Sequence, residues 1–260
     1  MRLLHTTTYA LEEFLGDEIP RYAILSHTWE GKEVTLRDML QSNALEHLEN
    51  PPSAAWEKIK NACKQARRDL WDYIWIDTCC IDKSSSAELQ EAINSMFQWY
   101  AEAEMCYAFL SDLGPRLEHG PGKWKRPNVT KHRWFNRGWT LQELLAPADV
   151  YFFDCGQHQE FSSCKASEWG LARLHRVLRE VSVARRMSWA AKRQTTRIED
   201  QAYCLLGLFN INMPMLYGEG SKAFTRLQIE IMKTTDDCSL LAWGFRLPCP
   251  ITTRSLRNIS

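Results

Sequence analysis

No apolar run in the chain approaches the roughly 20 residues needed to cross a bilayer, and Met1-Arg2-Leu3-Leu4-His5-Thr6 leads into no signal-peptide core. A cytoplasmic protein without a membrane span is therefore expected. Charge of one sign is also missing. Thirty-two basic residues face thirty-two acidic ones, so the cationic surplus that drives sequence-independent phosphate binding is absent, and nucleic acid is a poor candidate partner. There is no internal repeat and no low-complexity tract, which leaves one globular domain as the expectation.

What is present fits that expectation. The chain is 45% hydrophobic and 25% charged over 260 residues, enough to bury one large core or two modest ones. Nine cysteines, an odd number at irregular spacing with an adjacent Cys79-Cys80 pair, read as reduced thiols and not as a secreted disulfide framework. Eleven tryptophans are a richer signal. A buried indole N–H needs a partner, which places such residues at sheet ends and pocket walls.

Four short apolar runs, Tyr22-Ala23-Ile24-Leu25-Ser26-His27, Tyr73-Ile74-Trp75-Ile76-Asp77, Met105-Cys106-Tyr107-Ala108-Phe109-Leu110 and Val150-Tyr151-Phe152-Phe153, read as strands buried on both faces. Between them lie helical patterns. Trp56, Ile59, Cys63, Ala66 and Leu70 recur at helical spacing after a capping Ser53. Leu89, Ile93, Met96, Phe97 and Tyr100 form one face after Ser85 and Glu88, which have capping-box spacing. The alternation predicts an α/β fold, a parallel doubly wound sheet flanked by helices over residues 1–154. The opening segment to Pro20 is mixed, Gly31 to Pro52 is polar and weakly periodic, and Gly114 to Pro127 reads as a surface insertion. Residues 155–260 read as a helical part packed on the same domain, with helices over 165–180, from Thr196/Glu199 through Phe209, and after Ser221. A weak edge strand is expected over Ser239 to Phe245.

In open α/β sheets ligands bind outside the carboxyl ends of the strands. That rule selects Ser26, His27 and Trp29 after the first run, and Asp77, Cys80 and Asp82 after the second. It also selects the stretch Trp134 to Pro147, which carries Arg137, Trp139 and Glu143. Glu143 is the leading candidate for chemistry. The competing reading makes it a helix cap, because Thr140 and Glu143 have capping-box spacing. Ser26 and His27 suit a ribose or phosphate, Trp29 and Trp139 a flat ring, and Arg133 and Arg137 a pyrophosphate; each also has a purely structural use. Asp77 has the alternative of bonding the backbone of its own turn. Cys79 and Cys80 raise a cysteine nucleophile and Cys155, His158 and Cys164 a zinc site, but a fourth ligand is lacking and no metal is expected. Arg197, Glu199 and Asp200 read as a structural cluster outside the site.

Three blocks, Tyr22 to Trp29, Tyr73 to Asp82 and Arg133 to Pro147, resemble those of the fungal heterokaryon-incompatibility (HET) domain. Arg186 to Ala191, Thr195 to Asp200 and Tyr217-Gly218-Glu219-Gly220 resemble its continuation. The resemblance implies a cell-death effector of fungal non-self recognition, often joined to sensor repeats. A more distant resemblance, to the TIR domain, rests on the strand ending at His27, the loop after Asp77 and Trp139 to Leu144. It implies a flavodoxin-like fold, NAD as substrate with no further cofactor, Glu143 as the catalytic residue, and self-association through loop 78–86 on activation. The rival expectation is a non-catalytic signalling module that acts by self-association or by recruiting a partner.

Overall fold

A computed structural model describes residues 1–114, 131–154, 164–165, 178 and 181–241. The chain opens with an antiparallel pair, β1 (Arg2–His5) and β2 (Leu11–Glu13). Strand β3 (Tyr22–His27) follows, buried along its whole length. Two short helices, α1 (Leu36–Met39) and α2 (Ala44–Glu49), lead to the long α3 (Ala54–Arg68) and then β4 (Tyr73–Ile76). Next come α4 (Ser86–Glu102), β5 (Met105–Phe109), α5 (Arg133–Asn136), α6 (Thr140–Leu145), β6 (Val150–Phe153) and β7 (Cys164–Lys165).

The seven strands form one sheet in the order β2-β1-β4-β3-β5-β6-β7. Its centre, β4-β3-β5-β6, is parallel, with Ile24 level with Trp75 on one side and Cys106 on the other. Numbered among themselves those strands run second, first, third, fourth. This is the flavodoxin-type order, in which the chain reverses direction between the first and third strands and leaves a crevice at their carboxyl ends. The α/β class read from the sequence is the one observed. The sheet is nevertheless mixed, because β1 and β7 pair antiparallel with β4 and β6. β1 and β2 hold four and three residues, too short for their alternation to stand out in a segment that read as mixed.

Several local expectations change. The polar stretch after Gly31 contains α1, whose N-cap Thr35 and Asp38 make a reciprocal capping box. Helix α3 buries Trp56, Ile59, Ala62, Cys63 and Ala66, but Leu70 lies beyond its end, left-handed (φ 65°) and 87% exposed. At α4, Ser85 Oγ accepts from Glu88 N (3.3 Å), whereas the Glu88 carboxylate accepts from Arg2 and from Asp82 N instead of closing a box. Cys238–Leu241 is a 3-10 turn where an edge strand was expected, and Lys165 ends β7. Of the helix read over 165–180, residues 166–177, 179 and 180 lie outside the described residues, as do most of the insertion and residues 242–245.

Two apolar clusters hold the molecule together. One fills both faces of the sheet; the other joins the helices Val183–Ala190, Asp200–Tyr203, Leu206–Phe209 and Lys222–Thr234. Leu89, Phe97 and Trp139 pack against both. The join is tight at Gly207, where a Cβ would sit 2.1 Å from the Phe97 Cβ. Gly207→Ala is therefore expected to force the helices apart and cost about 2 kcal/mol or more, read as a lowered midpoint in denaturant. An unchanged midpoint would contradict this account of the join.

Candidate functional site

Glu143 owes its position to what surrounds α6. Of the helix's six residues, Thr140, Leu141, Gln142, Glu143 and Leu145 are buried, so the helix lies inside the protein and not on it. Its amino end has no side-chain cap of the usual kind, since Trp139 is the N-cap and Thr140 lies one residue inside. The Thr140 hydroxyl hydrogen-bonds to the Trp134 carbonyl and accepts from Arg193 Nη1 (2.9 Å), which also donates to the Arg137 carbonyl (2.8 Å). Glu143 therefore closes no capping box. Its Oε2 accepts a hydrogen bond from Ser26 Oγ, and that oxygen in turn accepts from the Trp134 indole N–H (2.7 Å). Ser26 and Trp134 are fully buried, so the relay approaches the carboxyl from within the protein.

The 7% of Glu143 that is exposed opens into a cavity of about 720 Å³ at the carboxyl ends of β3 and β4. Burial pushes its pKa up to about 7, and the negative Asp77 adds to the rise. The Ser26 hydrogen bond and the charges of Arg137 and Arg193 oppose it. Near neutral pH the carboxyl thus sits close to half ionised.

Asp77 is a second centre. Its partners are side chains and not its own turn: His27 Nε2 at 2.9 Å, Trp29 Nε1 at 3.0 Å and Lys83 Nζ at 3.6 Å. Burial alone would raise its pKa, but Lys83, the His27 hydrogen bond and Arg137 outweigh it and hold the group well below the usual carboxylate range. An ionised carboxylate only accepts, so His27 donates through Nε2. Its Nδ1 is buried and without a partner among the described residues. The exposed Trp29 ring carries Lys83 Nζ at 3.7 Å and the Arg137 guanidinium at 5.2 Å from its centroid. Those two cations occupy one of the two rings that the sequence suggested for stacking a ligand.

Of the residues singled out from the sequence, His27, Trp29, Asp77, Arg133, Arg137, Trp139 and Glu143 line this cavity, and Ser26 lies directly behind Glu143. Cys80 and Asp82 do not. The Cys80 thiol is tucked under the end of β4, where Sγ accepts from Ile76 N at 3.4 Å, and Asp82 turns away to accept from Ser84 N (2.9 Å) and Oγ (2.6 Å). Cys79, next to Cys80 in the chain, has a thiol pushed far above its ordinary pKa by Cys80 and by burial, so no thiolate is on offer there. No group of three metal-ligating side chains occurs among the described residues, and Cys155, His158 and the Cys164 side chain lie outside them.

Among the lining residues not selected from the sequence are Gln194, Thr195, Thr196, Arg197, Asp200 and Tyr217, and the reading that kept Arg197 and Asp200 out of the site is corrected. Backbone bonds bring them in. Gly138 N donates to Gln194 O (2.8 Å) and Gln194 N to Asn136 O (2.7 Å), so the 194–197 segment is laced to the stretch that carries Glu143. Gly138 keeps that crossing close, because a Cβ there would lie 2.5 Å from Thr195 Cγ2 and force that side chain to move. Glu199 holds the other side, its Oε1 accepting from Gly218 N (2.8 Å) and Gly220 N (3.0 Å) instead of closing a capping box with Thr196.

Comparison with known proteins adds an independent line. A family model described as heterokaryon incompatibility protein (HET) matches residues 22–121. Vegetative incompatibility protein HET-E-1 of Podospora anserina is 43% identical over 234 residues, covering 85% of this chain and 17% of that protein. The chain thus spans about a sixth of that relative's length. No solved structure matches it, and no described helix is long and apolar enough to cross a membrane.

Proposed function

The chain belongs to the heterokaryon-incompatibility (HET) family, and from that premise we propose that it is a cell-death effector of fungal non-self recognition. In this reading its cavity cleaves the N-glycosidic bond of NAD or a related nucleotide with Glu143. The observation that carries the proposal is a buried carboxyl, anchored from inside by Ser26, whose accessible edge faces a nucleotide-sized cavity.

The chemistry asks little of the protein beyond that carboxylate. In nicotinamide riboside the leaving ring is already cationic, so cleavage of C1′–N sends the bonding pair to the ring nitrogen and the base departs neutral. No general acid is needed. Positive charge develops on C1′ and the ring oxygen, and a carboxylate that accepts from the ribose hydroxyls stabilises it. Water then attacks C1′ and releases a proton. Glu143, with its pKa near 7, can take that proton and return it to solvent. An arriving pyridinium also favours the ionised form.

The ionised form is the active one, so kcat/KM should rise with pH through a limb near 7. Ser26→Ala removes the hydrogen bond that lowers the Glu143 pKa and is expected to move this limb upward, with about a tenfold loss of activity at pH 7. A limb that stays in place in the Ala variant would remove Ser26 from the account. Self-association through loop 78–86 is carried with the proposal. Cys79, Cys80 and Ile81 are buried, which narrows the outward surface to residues 82–86. Full activity in a variant that light scattering shows to be strictly monomeric would dispose of it.

A further inference from the structure

One wall of the cavity has no part in the bond cleavage just described. Thr196 and Arg197 stand at the surface, Asp200 and Tyr217 deeper. The Tyr217 hydroxyl donates to Asp200 Oδ1 (2.9 Å), its ring packs edge-on against Tyr203 (5.3 Å), and the Arg197 guanidinium lies over it at 4.4 Å. A planar cation fixed on an aromatic ring is a platform onto which a nucleobase stacks. Glu199 keeps the platform rigid from behind, through Gly218 and Gly220, both in the left-handed region (φ 104° and 63°) that favours glycine.

Arg137 lines the same cavity. Its backbone pairs with Gln194, while its side chain reaches the field of Asp77 and Glu143. Lys83 pairs with Asp77 and Arg133 with Glu30 and Asp112, while Arg197 and Arg137 lie over the Tyr217 and Trp29 rings. Arg137 makes no ion pair among the described residues, and a guanidinium over a ring keeps its in-plane N–H donors for a diphosphate.

We propose that the wall of Arg197, Asp200 and Tyr217 is a second nucleoside subsite, so that the cavity takes a dinucleotide. One nucleoside lies at Glu143, the other on Arg197, and the diphosphate between them on Arg137. This rests on the glycosidic reading above for the end at Glu143. The two ends are held at a fixed spacing by the 136–138 to 194 backbone bonds and by Arg193, so the longer ligand meets a preformed site.

The test compares NAD with nicotinamide mononucleotide, which has the scissile bond but no second nucleoside. Arg197→Ala is expected to raise KM for NAD about tenfold or more, with the mononucleotide's kcat/KM changed less than twofold; Arg197→Lys, which keeps charge but not the plane, should resemble the Ala variant. Equal effects on both substrates, or on neither, would overturn the second subsite and leave the glycosidic reading standing. If the wild type cleaves neither substrate, that reading falls, and calorimetry with ADP-ribose decides the subsite by itself. Binding weakened tenfold or more by Arg197→Ala supports it, and no binding, or binding indifferent to the change, overturns it.

Discussion

Glu143→Gln is expected to remove nucleotide cleavage by about 10²–10³-fold or more while making the protein more stable above neutral pH. The two effects share one cause. In the folded chain burial raises the carboxyl's pKa from 4.5 to about 7. The protonated form therefore contributes stability that is fully present below the unfolded value and lost as pH rises through 7. At pH 8 ionisation of Glu143 costs on the order of 3 kcal/mol. Glutamine, neutral at every pH and able to accept from Ser26, escapes that cost. Thermal melts should show the variant several degrees above the wild type at pH 8, with the gap closing toward pH 4.5. A variant that is less stable at pH 8, or a gap that does not depend on pH, would mean that Glu143 is a structural anchor for Ser26 and not a functional carboxyl held at a cost. If the protein instead kills without cleaving a nucleotide, the variant keeps its toxicity.

Asp77→Asn should act in the opposite direction on stability and on the pH profile. It removes the charge that gathers Lys83, His27 and Trp29 and leaves those donors poorly matched, at a cost of about 2–3 kcal/mol. The folded-state pKa of Asp77 is depressed, so its contribution is present above the unfolded value and disappears as pH falls through the folded one. The difference between wild type and variant should be full at pH 7 and shrink in acid. The negative charge of Asp77 also raises the Glu143 pKa, so its loss moves the activity limb down, whereas Ser26→Ala moves it up. Limbs shifting the same way in both variants would contradict the arrangement.

Much of this was legible because the central strands are buried on both faces. Tyr22 to His27 and Tyr73 to Ile76 read as unbroken apolar runs, and an unbroken run ending in polar groups also marks the crevice. What was missed follows from spacing arguments that do not know where an element begins. Thr140 and Glu143, like Thr196 and Glu199, are three apart, but the actual N-caps are Trp139 and Glu199, so neither pair closes a box. Leu70 keeps the helical period after Asp69 has already ended α3. The wall at 194–200 and 217 was illegible for another reason. It reaches the site through backbone bonds from Gln194 to Asn136 and Gly138, contacts some 56 residues apart in sequence that no local pattern encodes.

The central claim is that Glu143 ionises beside a bound nucleotide and breaks its glycosidic bond. Incubating the purified protein and its Glu143→Gln variant with NAD at pH 8, and separating free nicotinamide by chromatography, tests it most directly. The account predicts nicotinamide and ADP-ribose in equal amounts from the wild type and about 10²–10³-fold less from the variant. Equal release from both, or none from either, would contradict it.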